Sequence, residues 1–141
     1  ETLRQGIQSC PTVVKPNRDE IEQLFAVKIR SMQDVIRYAE RIRDIGIAYA
    51  VVSLGKEGAL LACEDGVFLG KPPEVKVVNT VGCGDSMVGA LAVALERKYE
   101  VKESLRYAVA AAAANAMSPN TGDFDPKDLE DLLEQVAVEK I

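Results

Sequence analysis

The segment Asn79-Thr80-Val81-Gly82-Cys83-Gly84-Asp85 sets two glycines between an apolar stretch and the start of a long apolar-periodic one. Glycines at a strand-to-helix junction let the backbone come close to an anion, and the helix start leaves N–H groups aimed at it. Asp85 sits where the helix dipole favours the charged carboxylate, which suits a base taking a proton from a hydroxyl at hydrogen-bond distance. The plain alternative is a tight turn capped by Asp85. The segment is not a Walker loop, because no Gly-Lys-Ser/Thr follows. Nor is it a dinucleotide fingerprint, because Met87 stands where the last glycine is needed.

Two other segments put polar residues at the ends of apolar runs. In Lys15-Pro16-Asn17-Arg18-Asp19-Glu20, a Lys, an Asn and a Glu converge on a strand-to-helix turn. Magnesium on nucleotide phosphates keeps several waters and takes one or two carboxylates, which suits Glu20; the same residues also read as an ordinary helix cap. In Ser53-Leu54-Gly55-Lys56-Glu57-Gly58, a glycine pair follows a buried strand and either borders a nucleotide or makes a plain turn. The chain has no histidine, so acid–base work falls to a carboxylate or a lysine.

The elements that must hold these segments are legible from hydrophobic period. A helix from Glu1 to Gln8 precedes a short strand at Thr12, Val13 and Val14, and Asn17 caps a helix carrying Ile21, Leu24 and Phe25. Ser31 caps the next helix, with Val35, Ile36, Ala39, Ile42 and Ile45 in phase until Gly46. The run Ile47 to Leu54 has the continuous apolar character of a strand covered on both faces. Ala59 to Cys63 and Val67 to Leu69 form a hairpin around Glu64-Asp65-Gly66, and Val75 to Val78 alternate as a further strand. Helices then span Asp85 to Arg97, with Met87, Val88, Leu91, Ala92 and Leu95 as the buried stripe, and Lys102 to Met117. Asp125-Pro126 opens a last helix with Leu129, Leu132, Leu133 and Val136 on one face. This order predicts an α/β fold, a sheet packed between helices.

The bulk numbers agree with that class. The chain has 141 residues, 48% of them hydrophobic, enough for a core in a single folding unit. The 17 basic and 22 acidic residues give net charge −5, with no cationic cluster to track a nucleic-acid backbone. No apolar run reaches the roughly 18 residues of a membrane span, and the start lacks a secretory pattern, so a soluble cytoplasmic protein is expected. Cys10, Cys63 and Cys83 are widely spaced and read as reduced thiols.

Taken together, V-K-P-N-R-D-E, V-V-S-L-G-K-E-G-A-L and K-P-P-E-V-K-V-V-N-T-V-G-C-G-D-S-M-V-G-A-L resemble the ribokinase/PfkB carbohydrate kinases, in particular the phosphofructokinase branch. The resemblance runs from Glu1 to at least Gly122, and the last stretch matches a highly specific signature of that family. It implies the C-terminal part of a ribokinase-like three-layer α/β/α sandwich. By the same resemblance, Asp85 is the base that activates a sugar hydroxyl, and the amides of Gly82, Cys83, Gly84 and Asp85 hold the transferring phosphoryl group. Asn17 and Glu20 match the N-x-x-E magnesium motif, and Lys15 touches the nucleotide phosphates. Ser53, Leu54, Gly55, Lys56, Glu57 and Gly58 border ATP, while Val109 and Ala113 line the adenine pocket. The implied reaction is ATP- and Mg2+-dependent phosphorylation of a sugar phosphate: fructose 1-phosphate first, tagatose 6-phosphate second, fructose 6-phosphate third. A non-catalytic nucleotide-binding piece is the competing reading, disfavoured by retention of Asp85, Asn17 and Glu20.

Members of the family are about twice this long and carry the sugar-binding residues and lid in their N-terminal half. Residues 1–141 are therefore expected to form the nucleotide-binding, catalytic half alone, inactive by itself, with an uncovered sheet edge that invites homodimer formation. Three positions depart from the pattern. Asn79 replaces an Asp that helps hold a monovalent cation, and Asn120 replaces a glycine, which a left-handed Asn would tolerate. Cys83 replaces a small Ala and places a thiol at a helix N-terminus, a setting that favours reactivity.

Overall fold

The computed structural model describes residues 2–141; Glu1, expected at the head of the first helix, lies outside the described residues. In chain order the elements are α1 (Thr2–Gln8), β1 (Val13–Val14), α2 (Arg18–Phe25), α3 (Met32–Asp44) and β2 (Tyr49–Ser53). A 3-10 turn at Gly55–Glu57 leads into β3 (Ala59–Cys63) and β4 (Gly66–Lys71). Then come α4 (Cys83–Glu96), α5 (Val101–Met117), α6 (Pro126–Gln135) and β5 (Ala137–Lys140). The strands hydrogen-bond in the order β1-β2-β3-β4-β5. The sheet is mixed: β1 runs parallel to β2 with Val13 opposite Tyr49, and β2 runs antiparallel to β3 with Val51 opposite Leu61. Residues 2–55, 59–69 and 140–141 form one compact unit, and residues 56–58 and 70–139 form a second.

In the first unit the helix starts are fixed by side chains. Asn17 Oδ1 accepts the Glu20 N–H at 2.8 Å, while Glu20 Oε2 accepts the Asn17 N–H at 2.8 Å. This reciprocal capping box satisfies two donors that the helix start would otherwise leave open, and losing such a cap costs about 1 kcal/mol. Ser31 Oγ accepts the Asp34 N–H at the head of α3. The core sets Ile21, Val35, Tyr38, Ala39 and Ile42 against Ala50, Val52, Leu60 and Ala62 of the sheet. The α3 stripe is thus Val35, Tyr38, Ala39 and Ile42; Ile36 is only partly buried and Ile45 is 46% exposed. The helix ends at Asp44, so Ile45 lies beyond its last turn and cannot continue the buried row.

The second unit corrects three further expectations. First, α4 starts at Cys83, two residues before the expected position, and buries Met87, Leu91 and Ala94 while Val88 and Ala92 face outward. Apolar residues surround this helix almost completely, so their period cannot choose a face; packing along α5 does. Second, Val75 to Val78 form no strand, and Val77 and Val78 are exposed. The amides of Val78 and Asn79 instead donate to the Ala116 carbonyl near the end of α5, at 2.7 and 3.0 Å, which anchors this segment to a helix end. Third, Ala137-Val138-Glu139-Lys140 forms a strand, β5, where a short, half-charged segment carries no strand signal; Lys71 pairs with Glu139 across 3.8 Å. The remaining helices follow the sequence: α5 buries ten of its seventeen residues, and Asp125 caps α6 at the Lys127 N–H with Pro126 in the first turn. All three cysteines are free thiols, and burial pushes the Cys63 thiol above its ordinary pKa.

Candidate functional site

The loop before α4 is shaped by Gly82, which caps the helix in the left-handed conformation at φ 83°. A Cβ at this position would lie 2.3 Å from Thr121 Cγ2, so both the backbone angle and the space require glycine. The first α-helical bond runs from the Ser86 N–H to the Gly82 carbonyl at 2.9 Å. Cys83, Gly84 and Asp85 therefore occupy the first turn, where amides have no intrahelical acceptor. The Cys83 N–H donates to the Thr80 carbonyl at 3.4 Å, which leaves the Gly84 and Asp85 amides as the turn's open donors. Backbone donors and an exposed Asp85 carboxylate thus share one helical turn. Such a turn is suited to binding an anion with a proton acceptor beside it.

Side-chain amides brace the loop. Asn79 Oδ1 accepts the Val81 N–H at 3.0 Å, and Asn79 Nδ2 donates to Thr121 Oγ1 at 3.1 Å. The left-handed residue of the following turn is Gly122, at φ 73°, not Asn120, which corrects the expectation for Asn120. Sequence reasoning did not single out Asn115, a fully buried side chain of α5. Its Nδ2 donates to the Val81 carbonyl at 2.9 Å and contacts Cys83 Sγ at 3.3 Å, and its Oδ1 accepts the Gly122 N–H at 2.6 Å. A signal existed: in a run of alanines, Asn115 falls in phase with buried Ala108 and Ala111, where a polar side chain needs partners.

In the first unit the structure joins two of the sequence segments. Asn17 bridges Ser53 in parallel fashion, and the Ser53 N–H donates to the Pro16 carbonyl at 3.0 Å. Half-buried Lys15 and exposed Asn17 and Glu20 therefore share a strand end with Ser53, buried Leu54 and exposed Gly55. Glu20 spends one carboxylate oxygen on the helix cap. No cluster of three or more His, Cys, Asp or Glu suited to a metal occurs among the described residues. A lone carboxylate fits magnesium that arrives on nucleotide phosphates and keeps its waters.

Lys56 and Glu57 are exposed, whereas Gly58 is buried at φ 100°, and a Cβ there would lie 1.9 Å from the Gly70 carbonyl oxygen. Close backbone approach accounts for this glycine. Val109 and Ala113 lie on the buried face of α5, and Val109 Cγ2 would meet a Cβ at Gly70 at 2.9 Å. No helix among the described residues is long and apolar enough to cross a membrane.

Comparison with known proteins places these features in a family. The 1-phosphofructokinase of Escherichia coli is 43% identical over 136 residues, covering 96% of this chain and 44% of that protein. The Haemophilus influenzae 1-phosphofructokinase is 33% identical over 140 residues, covering 99% and 45%. Among solved structures, phosphofructokinase-2 from Escherichia coli, in complex with substrates and products, superposes with a TM-score of 0.88 at 32% identity, covering 94% of this chain and 43% of that one. Ribokinase from Thermotoga maritima gives 0.77 at 26% identity, covering 93% and 44%. The chain thus spans less than half the length of these relatives, and its fold is the ribokinase-like α/β class. Since residues 1–128 match the pfkB family of carbohydrate kinases, the chain belongs to that family.

Proposed function

We propose that residues 1–141 form the nucleotide-binding, catalytic half of a sugar-phosphate kinase that transfers the terminal phosphoryl group of ATP to a ketohexose phosphate. The observation that carries this reading is the first turn of α4, where the left-handed Gly82 sets the Gly84 and Asp85 amides, which have no intrahelical acceptor, beside the exposed Asp85 carboxylate. Phosphoryl transfer asks the protein mainly to position the reactants and stabilise charge. Asp85 takes the proton from the acceptor hydroxyl, and the amides of the turn, Gly82 to Asp85, hold the transferring group. Magnesium, when bound with the nucleotide, neutralises phosphate charge, and Glu20 with Asn17 supplies its protein contact. Lys15 and residues Ser53 to Gly58 serve the nucleotide, with Val109 and Ala113 toward the base. The acceptor of first choice is fructose 1-phosphate, supported by relatives that are 1-phosphofructokinases. Tagatose 6-phosphate and fructose 6-phosphate follow.

The test is phosphoryl transfer by the purified full-length protein from Mg-ATP to each of the three sugar phosphates. Fructose 1-phosphate is expected to give the highest kcat/KM. Turnover of none of them would overturn the kinase reading, and a higher value for either alternative would reassign the acceptor. In the same assay, Glu20→Gln is expected to raise the magnesium concentration needed for half-maximal rate. Gln keeps the side-chain acceptor of the capping box but removes the charge, so α2 remains capped while cation attraction weakens. An unchanged magnesium titration would remove Glu20 from the metal site.

A further inference from the structure

We propose that Asn115 is a positioning residue for phosphoryl transfer, setting the placement of the first-turn amides of α4 from the buried side of the loop. The inference rests on the kinase reading and deepens it. Asn115 projects from the alanine-rich part of α5 and is fully buried, where an alanine would pack without any polar group to satisfy. Burying a side-chain amide is unfavourable unless all its groups find partners. Every partner of Asn115 belongs to the loop, to the turn of α4 behind it or to the turn beside it. Nδ2 reaches the Val81 carbonyl at 2.9 Å and Cys83 Sγ at 3.3 Å, so one amide group grips both neighbours of the left-handed Gly82. Oδ1 takes the Gly122 N–H at 2.6 Å and lies 3.4 Å from Ser86 Oγ. It thereby links the turn that carries Thr121, whose methyl would collide with any side chain at position 82, to the first turn of α4. One buried group therefore connects three segments whose relative placement decides where the amides point. Misplacing such a group by about 1 Å can lower a rate about 100-fold.

Substitutions separate this role from ordinary core packing. Asn115→Ala removes all four contacts. Asn115→Asp keeps the shape and both acceptor contacts, but it loses the donors to Val81 and Cys83 and adds negative charge behind an anion site. If Asn115 only filled and satisfied the core, both variants would lose Tm, Asp more because it buries a charge beside the Val81 carbonyl, while each kept kcat within about twofold once folded. If it positions the amides, kcat falls in the order wild type, Ala, Asp when assayed at pH 8, with KM for the sugar phosphate little changed. The expected loss is at least about 10-fold for Ala. Leu132→Ala, which truncates a buried side chain of α6, serves as the control for a general loss of stability and should keep kcat within about twofold once folded.

Alkylation of Cys83 by iodoacetamide gives a readout independent of catalysis, in a background where the exposed Cys10 is replaced by Ser. Asn115→Ala should change the Cys83 rate at least about threefold, because the thiol loses its amide contact, and Leu132→Ala should leave it unchanged. A Cys83 rate in the Ala and Asp variants equal to wild type, or a kcat order with Asp above Ala, overturns the inference. Should the Ala variant fail to fold, the isosteric Asp variant alone decides through the same two readouts. If the wild type transfers no phosphoryl group, the kinase reading fails, and the Cys83 rates still report whether Asn115 sets the loop.

Discussion

Asp85→Asn in the full-length protein lowers kcat by at least about 100-fold, while KM for ATP stays within about threefold. The substitution is nearly isosteric and leaves the first turn of α4 with the same backbone, so the amides of Gly84 and Asp85 keep their placement. What disappears is the proton acceptor. Asp85 is exposed in the first turn, open to an incoming hydroxyl, and is not occupied in capping: the cap of α4 is Gly82, with no side-chain hydrogen bond. A carboxylate that merely stabilised the helix dipole would contribute about 0.3–1 kcal/mol to stability and nothing specific to turnover. Steady-state kinetics with Mg-ATP and the best acceptor make the measurement. A variant within a few-fold of the wild-type kcat would remove Asp85 from the role of base.

Gly82→Ala is the second large effect, and it acts on geometry, not on proton transfer. The left-handed backbone at φ 83° is unfavourable for alanine by about 1–3 kcal/mol. The added methyl would also sit 2.3 Å from Thr121 Cγ2, far inside contact distance. The loop must shift, the Thr121 turn must yield, or both. The expected outcome is a drop in kcat of about 100-fold, together with a lower Tm. Pairing the change with Thr121→Ser removes the clashing methyl but keeps the hydroxyl that accepts from Asn79 Nδ2. Part of the lost activity should return, while the strain from the left-handed angle persists. If Gly82→Ala alone has wild-type kcat and Tm, the loop does not have the geometry described here. If the double variant gains nothing over the single one, the Thr121 contact is not the source of the clash.

Much of this protein could be read from local rules, because local rules decide helix ends and the punctuation of strands. Asn17, Ser31 and Asp125 cap the helices at which the sequence places them, since a short polar side chain at a helix start has one good use for its oxygen. The turn and helix start within Asn79 to Asp85 are legible for the same reason: glycines and a helix start are backbone features that one segment contains whole. The reading was weaker where a residue serves two purposes. Glu20 reads as a metal ligand or a cap, and the structure shows one of its carboxylate oxygens making the cap. Gly58 reads as bordering a nucleotide or making a plain turn, and its backbone angle with the close approach of the Gly70 carbonyl is a packing requirement that its sequence does not announce.

Contacts between segments distant in sequence settled the rest. The buried face of α4 follows from its packing on α5, because a helix apolar nearly all round offers its period no preferred side. The expected strand at Val75 to Val78 has the right alternation, but alternation is only an offer of hydrogen bonds, and here the Ala116 carbonyl takes them up in place of a neighbouring strand. In the same way β5 exists through its pairing in the sheet, which its four residues do not announce. Asn115 is the clearest case. In sequence it interrupts an alanine run, and only folding brings Val81, Cys83, Ser86 and Gly122 to its amide across separations of 34, 32, 29 and 7 residues. A short segment can specify its own backbone, but the partners of a buried polar group are chosen by the packing of the whole unit around it.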